Sequence, residues 1–203
     1  DEMAHRDQAS FGFMTEETLK AVIRKTMLRA EGSIYYVFQG GEPTLRGLPF
    51  FHRVMELQKQ YNKKGVMVYN SIQTIGYLLD NAWCHFFAEN HFLVGISLDG
   101  VKRTHDMCRH GKDGSPSFDR ILGVTRLLEK CGAEYNILTV VTKQVAENID
   151  EIYTFYKKQG FRFQQYIACM DPVMGKESDY SLTPAVYGEF LIRLFQLWSD
   201  DFA

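Results

Sequence analysis

Hydrophobic and polar positions follow two different periods that alternate along most of the chain. Residues 15–30 place Leu19, Ile23 and Met27 at helical spacing and predict a helix. Residues 33–38 (SIYYVF) form a short run rich in β-branched and aromatic side chains and predict a strand. The same patterns predict further helices over residues 48–61, 77–89, 118–130, 149–159 and 184–199, and further strands over residues 66–70, 92–97, 135–141 and 161–167.

Strands that alternate with helices of this length predict a parallel sheet, because parallel neighbours need a long crossover connection. The pattern gives five strands, and it leaves both an open sheet and a barrel as alternatives. No repeat or linker divides the chain, so residues 1–203 are expected to form one α/β domain. In such folds the chemistry lies in the loops after the carboxyl ends of the strands.

Composition and charge narrow the function classes. The 203 residues carry a formal net charge of −2 without a basic stripe, which argues against a general nucleic-acid binder. No apolar run is long enough to span a bilayer, so no membrane association is expected. The four cysteines (Cys84, Cys108, Cys131 and Cys169) form no CxxC cluster. They are expected to be free thiols of a cytoplasmic protein and to bind no metal.

The first predicted loop, residues 38–44 (FQGGEPT), carries the strongest local signal. Paired glycines let a ligand approach the backbone without obstruction by a Cβ atom, and Pro43 stiffens the turn. Exposed carbonyls with the Glu42 carboxylate nearby would suit a cationic amino group. The alternative is an ordinary turn between a strand and a helix.

Three later loops are also polar or small and also follow predicted strands. Residues 70–76 (NSIQTIG) could bind a small molecule or cap the next helix. Residues 97–100 (SLDG) are followed by Arg109, and both Ser97 and Arg109 could hold a carboxylate. The alternative is a plain turn at residues 99–100 with Arg109 as a surface charge. Residues 169–172 (CMDP) offer an apolar surface for a flat ring.

Together these loops resemble a known family. Residues 38–45 (FQGGEPTL), 71–74 (SIQT) and 93–100 (LVGISLDG) resemble anaerobic sulfatase-maturating enzymes, which are radical S-adenosylmethionine (SAM) enzymes of the SPASM branch. The likeness continues at residues 135–138, 140–142, 169–172 and 180–182. It implies an incomplete (β/α)6 partial TIM barrel of the radical SAM type, with about five parallel strands and outer helices.

The resemblance also implies roles for particular residues. The Gly-Gly-Glu-Pro turn would receive the amino group of SAM, Ser97 and Arg109 would hold its ribose or carboxylate side, and Met170 would lie against its adenine. The implied cofactor-binding residues are Gly40, Gly41, Glu42, Ser97, Arg109 and Met170, and the implied substrate-binding residues are Gln39 and Gln73.

The implied activity is oxidation of a Cys or Ser in an unfolded sulfatase polypeptide to Cα-formylglycine, with SAM and a [4Fe–4S] cluster. The CxxxCxxC motif that binds the cluster and the C-terminal SPASM domain have no counterpart in this chain. No catalytic residue is therefore expected here, and the chain alone should be inactive. Two departures are Ile75, where the family commonly has Asn, and Val101, where Pro is usual.

Other functions stay open at this point. One is another SPASM-type enzyme that modifies a different peptide, and a second is a non-catalytic barrel that binds or regulates a partner. A conventional TIM-barrel enzyme would need acid–base residues at the strand ends, whereas His105 and His110 lie on or beside helices and are interpreted as core or surface residues. A sheet that lacks its first strand would also expose an edge through which two chains could associate.

Overall fold

The computed structural model describes residues 12–111, 113–170 and 179–201. Its strands are β1 (Ser33–Phe38), β2 (Met67–Thr74), β3 (Phe92–Ser97), β4 (Glu134–Val141) and β5 (Gln164–Ala168). Its helices are α1 (Glu16–Arg29), α2 (Gly47–Tyr61), α3 (Asn81–Glu89), α4 (Lys102–Cys108), α5 (Phe118–Cys131), α6 (Lys143–Glu147), α7 (Ile149–Gln159) and α8 (Pro184–Asp200). A short 3-10 helix, Pro43–Arg46, precedes α2.

The five strands form one parallel sheet in the order β1-β2-β3-β4-β5. The sheet curls into a half-barrel, which decides between the open sheet and the barrel and confirms the predicted fold class. Because all five strands are parallel, their carboxyl ends open on the same rim. The loops that the sequence singled out therefore share one end of the half-barrel.

The two faces of the sheet differ in what covers them. Ile72, Val94 and Ile137 are buried with residues of the helices in one large core. On the other face, called the inner face here, Tyr35 and Val37 of β1 are 69% and 64% exposed. The side chains alternate between these faces with the two-residue period of a strand.

Several element ends follow from local capping. The Thr15 side chain accepts a hydrogen bond from Thr18 N at 3.2 Å and starts α1 as expected. Helix α3 was predicted from residue 77, but it starts at Asn81 because the Asp80 side chain caps it by accepting from Trp83 N at 3.0 Å.

Strand β2 corrects the sequence analysis, which assigned residues 70–76 to a loop. The strand continues to Thr74, and Gln73 lies opposite Gly95 of β3. Pairing with strands on both sides stabilises these polar positions as strand, which a single-strand pattern does not reveal. Helices α4 and α6 were not predicted either.

None of the described helices is both long and apolar enough to cross a membrane.

Candidate functional site

The Gly-Gly turn after β1 has the conformation that its sequence predicts. Gly40 and Gly41 have φ angles of 98° and 53°, in the left-handed region that glycine adopts without strain. A Cβ atom built on Gly40 would meet no other atom within 4 Å. The turn therefore presents its backbone to open space, and its special φ angles account for the glycines.

The Glu42 carboxylate fixes this turn to the end of β2. Its Oε1 accepts hydrogen bonds from Thr44 N at 3.0 Å, from Thr44 Oγ1 at 2.5 Å and from Thr74 Oγ1 at 2.7 Å. Its Oε2 accepts from Ile75 N at 2.8 Å. Glu42 thus first holds the loop in place, and only Oε2 keeps much capacity for a ligand donor.

The loop after β3 is held from below by a buried tyrosine. The Tyr156 hydroxyl of α7 donates to Leu98 O at 2.6 Å and accepts from Gly100 N at 2.8 Å. Thr139 Oγ1 of β4 also donates to Leu98 O, at 2.8 Å. At Gly100, whose φ is +84°, a Cβ would lie 2.6 Å from Ile152 Cδ1, so only glycine fits. Burial raises the pKa of Tyr156, which therefore stays protonated.

Asp99 and Arg109 form a partly buried ion pair beside this loop. Arg109 Nε donates to Asp99 Oδ2, and Val140 N donates to Asp99 Oδ1 at 2.8 Å. Asp99 is only 5% exposed and the Arg109 side chain 18%. The alternative that Arg109 is a plain surface charge was therefore wrong. Asp99 orients its guanidinium, while Nη1 makes no hydrogen bond among the described residues.

His105 links the loop after β3 to the segment that follows α4 through a chain of hydrogen bonds. Asp99 N donates to His105 Nδ1 at 3.1 Å, His105 Nε2 lies 3.0 Å from Ser117 Oγ, and Ser117 Oγ donates to Arg109 O at 3.0 Å. This chain requires a neutral imidazole protonated on Nε2. Burial lowers the pKa of His105 to about 4, which keeps it neutral.

A cavity of about 630 Å³ lies between the Gly-Gly turn and α4. Six of the predicted site residues line it: Gln39, Gly40, Gly41, Glu42, Gln73 and Arg109. Ser97 is one hydrogen bond away, since Gln73 Nε2 donates to its Oγ at 3.2 Å. Met170, which is 84% exposed, does not line this cavity, and Asp171 and Pro172 lie outside the described residues.

Sequence reasoning missed several residues of this cavity. Tyr77, His105, Cys108, His110 and Ser117 also line it. His105 is buried, as its interpretation as a core histidine required, but its contacts tie it to the site. His105 and Cys108 escaped attention because α4 is short and has no side-chain cap, and Tyr77 and Ser117 lie in the connections before α3 and α5.

The cavity suits a small molecule that carries both an ammonium and a carboxylate. The Gly40–Gly41 backbone and Glu42 Oε2 offer acceptors on one side, and the Arg109 guanidinium offers a cation on the other. SAM has both groups, so the predicted cofactor residues fit it by charge and by space. The roles of all the predicted cofactor-binding and substrate-binding residues remain predictions.

The described residues offer no comparable site for an iron–sulfur cluster. Among them, no group of three or more His, Cys, Asp or Glu residues could hold a metal ion. Burial raises the pKa of the Cys84 thiol to about 12, the opposite of what a thiolate ligand needs. The cluster of a radical SAM enzyme does not fit the residues present here.

The family follows from the sequence match. The family model for the radical SAM superfamily matches residues 4–156. The chain therefore belongs to the radical SAM superfamily, as its fold and its SAM-compatible cavity indicate.

Particular relatives extend this result. The chain is 42% identical over 200 residues to a cysteine-type anaerobic sulfatase-maturating enzyme of Clostridium perfringens (strain 13 / Type A), covering 98% of this chain and 54% of the relative. It is 36% identical over 181 residues to a serine-type enzyme of Bacteroides thetaiotaomicron, covering 81% of this chain and 44% of the relative. The chain thus spans about half the length of these relatives.

A solved structure gives the same picture. Native anSMEcpe with bound AdoMet and Kp18Cys peptide matches with a TM-score of 0.93 and 41% identity, covering 96% of this chain and 54% of that chain. The half-barrel described above is therefore also found in a protein that binds SAM (AdoMet) together with a peptide.

Proposed function

We propose that this chain is the barrel part of an enzyme that oxidises a cysteine of an unfolded sulfatase polypeptide to Cα-formylglycine. The observation that carries the proposal is the 42% identity to a cysteine-type relative, against 36% for the serine-type one, together with a cavity that suits SAM. In this proposal residues 1–203 form a partial radical SAM barrel domain. The cluster ligands come from elsewhere in the full-length protein.

This chain's residues would bind and orient SAM. Gly40, Gly41 and Glu42 would accept hydrogen bonds from its ammonium group, and Arg109 with Ser97 would hold its carboxylate or ribose. Met170 would cover the adenine. Gln39 and Gln73 would face the peptide substrate, and the half-barrel would exclude water from the reacting groups.

The chemistry balances as a two-electron oxidation. When bound, SAM would supply the oxidising chemistry by accepting a hydrogen atom from the substrate. The cysteine side chain would give up two electrons and two protons, of which two electrons and one proton would be taken up as SAM becomes methionine and 5′-deoxyadenosine. Water then replaces the sulfur of the oxidised side chain, which leaves as hydrogen sulfide.

Two further features belong to the proposal. The free thiols of Cys84, Cys108 and Cys131 support a cytoplasmic location. Strand β1 has a strand neighbour on one side only among the described residues, which supports self-association of the 203-residue chain through that edge.

The decisive experiment uses the full-length protein, reconstituted anaerobically with iron and sulfide and supplied with SAM, a reductant and a sulfatase-derived cysteine peptide. Mass spectrometry of the products should find both 5′-deoxyadenosine and the aldehyde peptide. Deoxyadenosine without aldehyde would move the substrate to another peptide. Neither product, with the cluster in place, would favour a barrel that binds a partner without catalysis.

A further inference from the structure

Three residues lie side by side across the middle of the inner face. The pairing register puts Gln73 of β2 opposite Gly95 of β3, and Gly95 opposite Asn136 of β4. Their neighbours Ile72, Val94 and Ile137 are buried against the helices, so these three positions point the other way. Two amide side chains thus flank a strand position that has no side chain.

Because Gly95 has no side chain, the Gln73 amide lies in the volume that a Cβ would fill and comes close to the Asn136 amide. A Cβ built on Gly95 would lie 2.0 Å from Gln73 Oε1 and 3.3 Å from Asn136 Oδ1. The two amide oxygens therefore approach one point above the glycine. Any larger residue at position 95 would push Gln73 aside.

Both amides have hydrogen-bonding capacity that the described residues do not use. Gln73 Nε2 donates to Ser97 Oγ at 3.2 Å, but no described donor binds Gln73 Oε1, and the Asn136 side chain makes no hydrogen bond within the described part of the chain. Both side chains are half-buried, so their unused atoms are open to water or to a ligand. Two converging carbonyl oxygens select a hydrogen-bond donor.

The position of the pair separates it from the cofactor residues. Gln73 lines the 630 Å³ cavity with the Gly-Gly turn, whereas Asn136 lines a second cavity of about 540 Å³ with Leu93 and Phe163. None of the residues predicted to bind SAM lines this second cavity. A ligand that contacts both Gln73 and Asn136 therefore extends beyond the residues predicted to bind SAM, towards a cavity that also carries the charged Glu134 and Arg162.

We propose that Gln73, Gly95 and Asn136 form an amide cradle that binds a backbone N–H of the peptide substrate. The inference rests on the proposed function, since it takes a sulfatase-type peptide as its ligand. A peptide N–H is a neutral donor that matches two neutral amide oxygens, whereas a cation would be drawn to a carboxylate instead. Gly95 is the residue that lets the Gln73 and Asn136 oxygens converge.

The test uses the full-length protein with its clusters reconstituted and two variants, Gly95→Ala and Asn136→Ala. Gly123→Ala in α5 is the matched control, because a Cβ at Gly123 meets nothing within 4 Å. Fluorescence anisotropy of a labelled sulfatase-derived cysteine peptide gives the peptide Kd, and equilibrium dialysis gives the SAM Kd. Thermal melting shows that each variant is folded.

Both cradle variants should weaken peptide binding about tenfold, since each loses a hydrogen bond. Asn136→Ala should keep the SAM Kd within about twofold, because Asn136 does not contact the predicted cofactor residues. The control should change neither constant. Gly95→Ala also displaces Gln73 from Ser97, so Asn136→Ala is the variant that separates peptide from cofactor.

Three outcomes would overturn the cradle. If the wild type forms the aldehyde and both variants bind peptide normally, the cradle is wrong and the proposed function stands. If Asn136→Ala weakens SAM binding as much as peptide binding, the ligand of Asn136 is the cofactor and not the peptide. If the wild type neither binds the peptide nor forms the aldehyde, the proposed function fails and the cradle's assigned ligand fails with it.

Discussion

At the scale of single residues, Tyr156 holds the loop after β3 through one buried hydroxyl. Tyr156→Phe would leave Gly100 N without its acceptor, while Leu98 O would keep the bond from Thr139. We expect the free energy of unfolding to fall by about 1–3 kcal/mol, the usual cost of an unsatisfied buried polar group.

Urea denaturation measures this loss, and Tyr61→Phe is the control because the Tyr61 hydroxyl makes no hydrogen bond among the described residues. The control should stay within about 0.5 kcal/mol of the wild type. Equal losses in the two variants would show that the loss comes from the ring environment and not from the loop.

His105 gives the stability of the molecule a defined pH dependence. Its folded pKa of about 4 lies below its ordinary value of 6.5, so the unfolded chain binds more protons between these values. The contribution of His105 to stability is complete above about pH 6.5 and is lost as the pH falls towards 4. The loss should approach about 3 kcal/mol, since one pKa unit corresponds to about 1.4 kcal/mol.

Carboxylates titrate in part of the same range, so the informative quantity is the difference between the wild type and His105→Gln. Denaturation midpoints at several pH values should show this difference shrinking from pH 7 to pH 4. A difference that stays constant over the range would mean that His105 keeps an ordinary pKa.

The conformation of some site residues depends only on their neighbours in the sequence, whereas the role of others depends on contacts with residues further along the chain. Gly40 and Gly41 could be predicted because a turn with positive φ leaves a direct mark in the sequence. The pairing of Asp99 with Arg109 could not, because it depends on α4 bringing Arg109 back over the loop after β3. The partners of His105 are equally non-local, since Ser117 lies beyond the whole of α4.

At the scale of elements, the link between the Gly-Gly turn and β2 depends on one carboxylate. Glu42→Gln would replace one of the two acceptor oxygens by an NH₂ group, so that either the bond from Ile75 N or the bonds from Thr44 and Thr74 would be lost. We expect the turn to loosen and SAM affinity to fall about tenfold. Equilibrium dialysis with the full-length protein measures this change.

Glu147→Gln on α6 is a suitable control, because its only ion pair is a weak exposed one with Lys143 at 3.9 Å. Its SAM affinity should match that of the wild type. If Glu42→Gln also binds SAM normally, the turn is rigid without the carboxylate and the positioning role of Glu42 is wrong.

Elements whose own pattern is strong were predicted within a residue or two. Strand β3 has the predicted bounds, and α1, α5 and α7 each differ by at most one residue at an end. Strand β2 was cut short because its last residues are polar and are strand only through pairing with both neighbours. Helix α4 escaped prediction because tertiary contacts hold it, such as the bond from Arg103 Nη2 to Asn148 Oδ1 at 2.6 Å.

At the scale of the whole molecule, the half-barrel leaves two strands with one neighbour each. Strands β1 and β5 end the sheet among the described residues, and the inner face beside β1 exposes Tyr35, Val37 and Tyr69. An exposed edge with apolar side chains is a template for pairing with another chain. The outer surface offers a rival contact, because Ile192 of α8 is 63% exposed.

These two surfaces can be told apart by placing a charge on each in the 203-residue chain. Val37→Lys puts a charge on the edge strand and should move the chain from dimer towards monomer, because two paired edges would bring like charges together. Ile192→Lys should leave the association unchanged. Sedimentation velocity over a range of concentrations measures both. A wild type that stays monomeric at high concentration would contradict edge pairing. If only Ile192→Lys produced a monomer, the chains would associate through α8 instead.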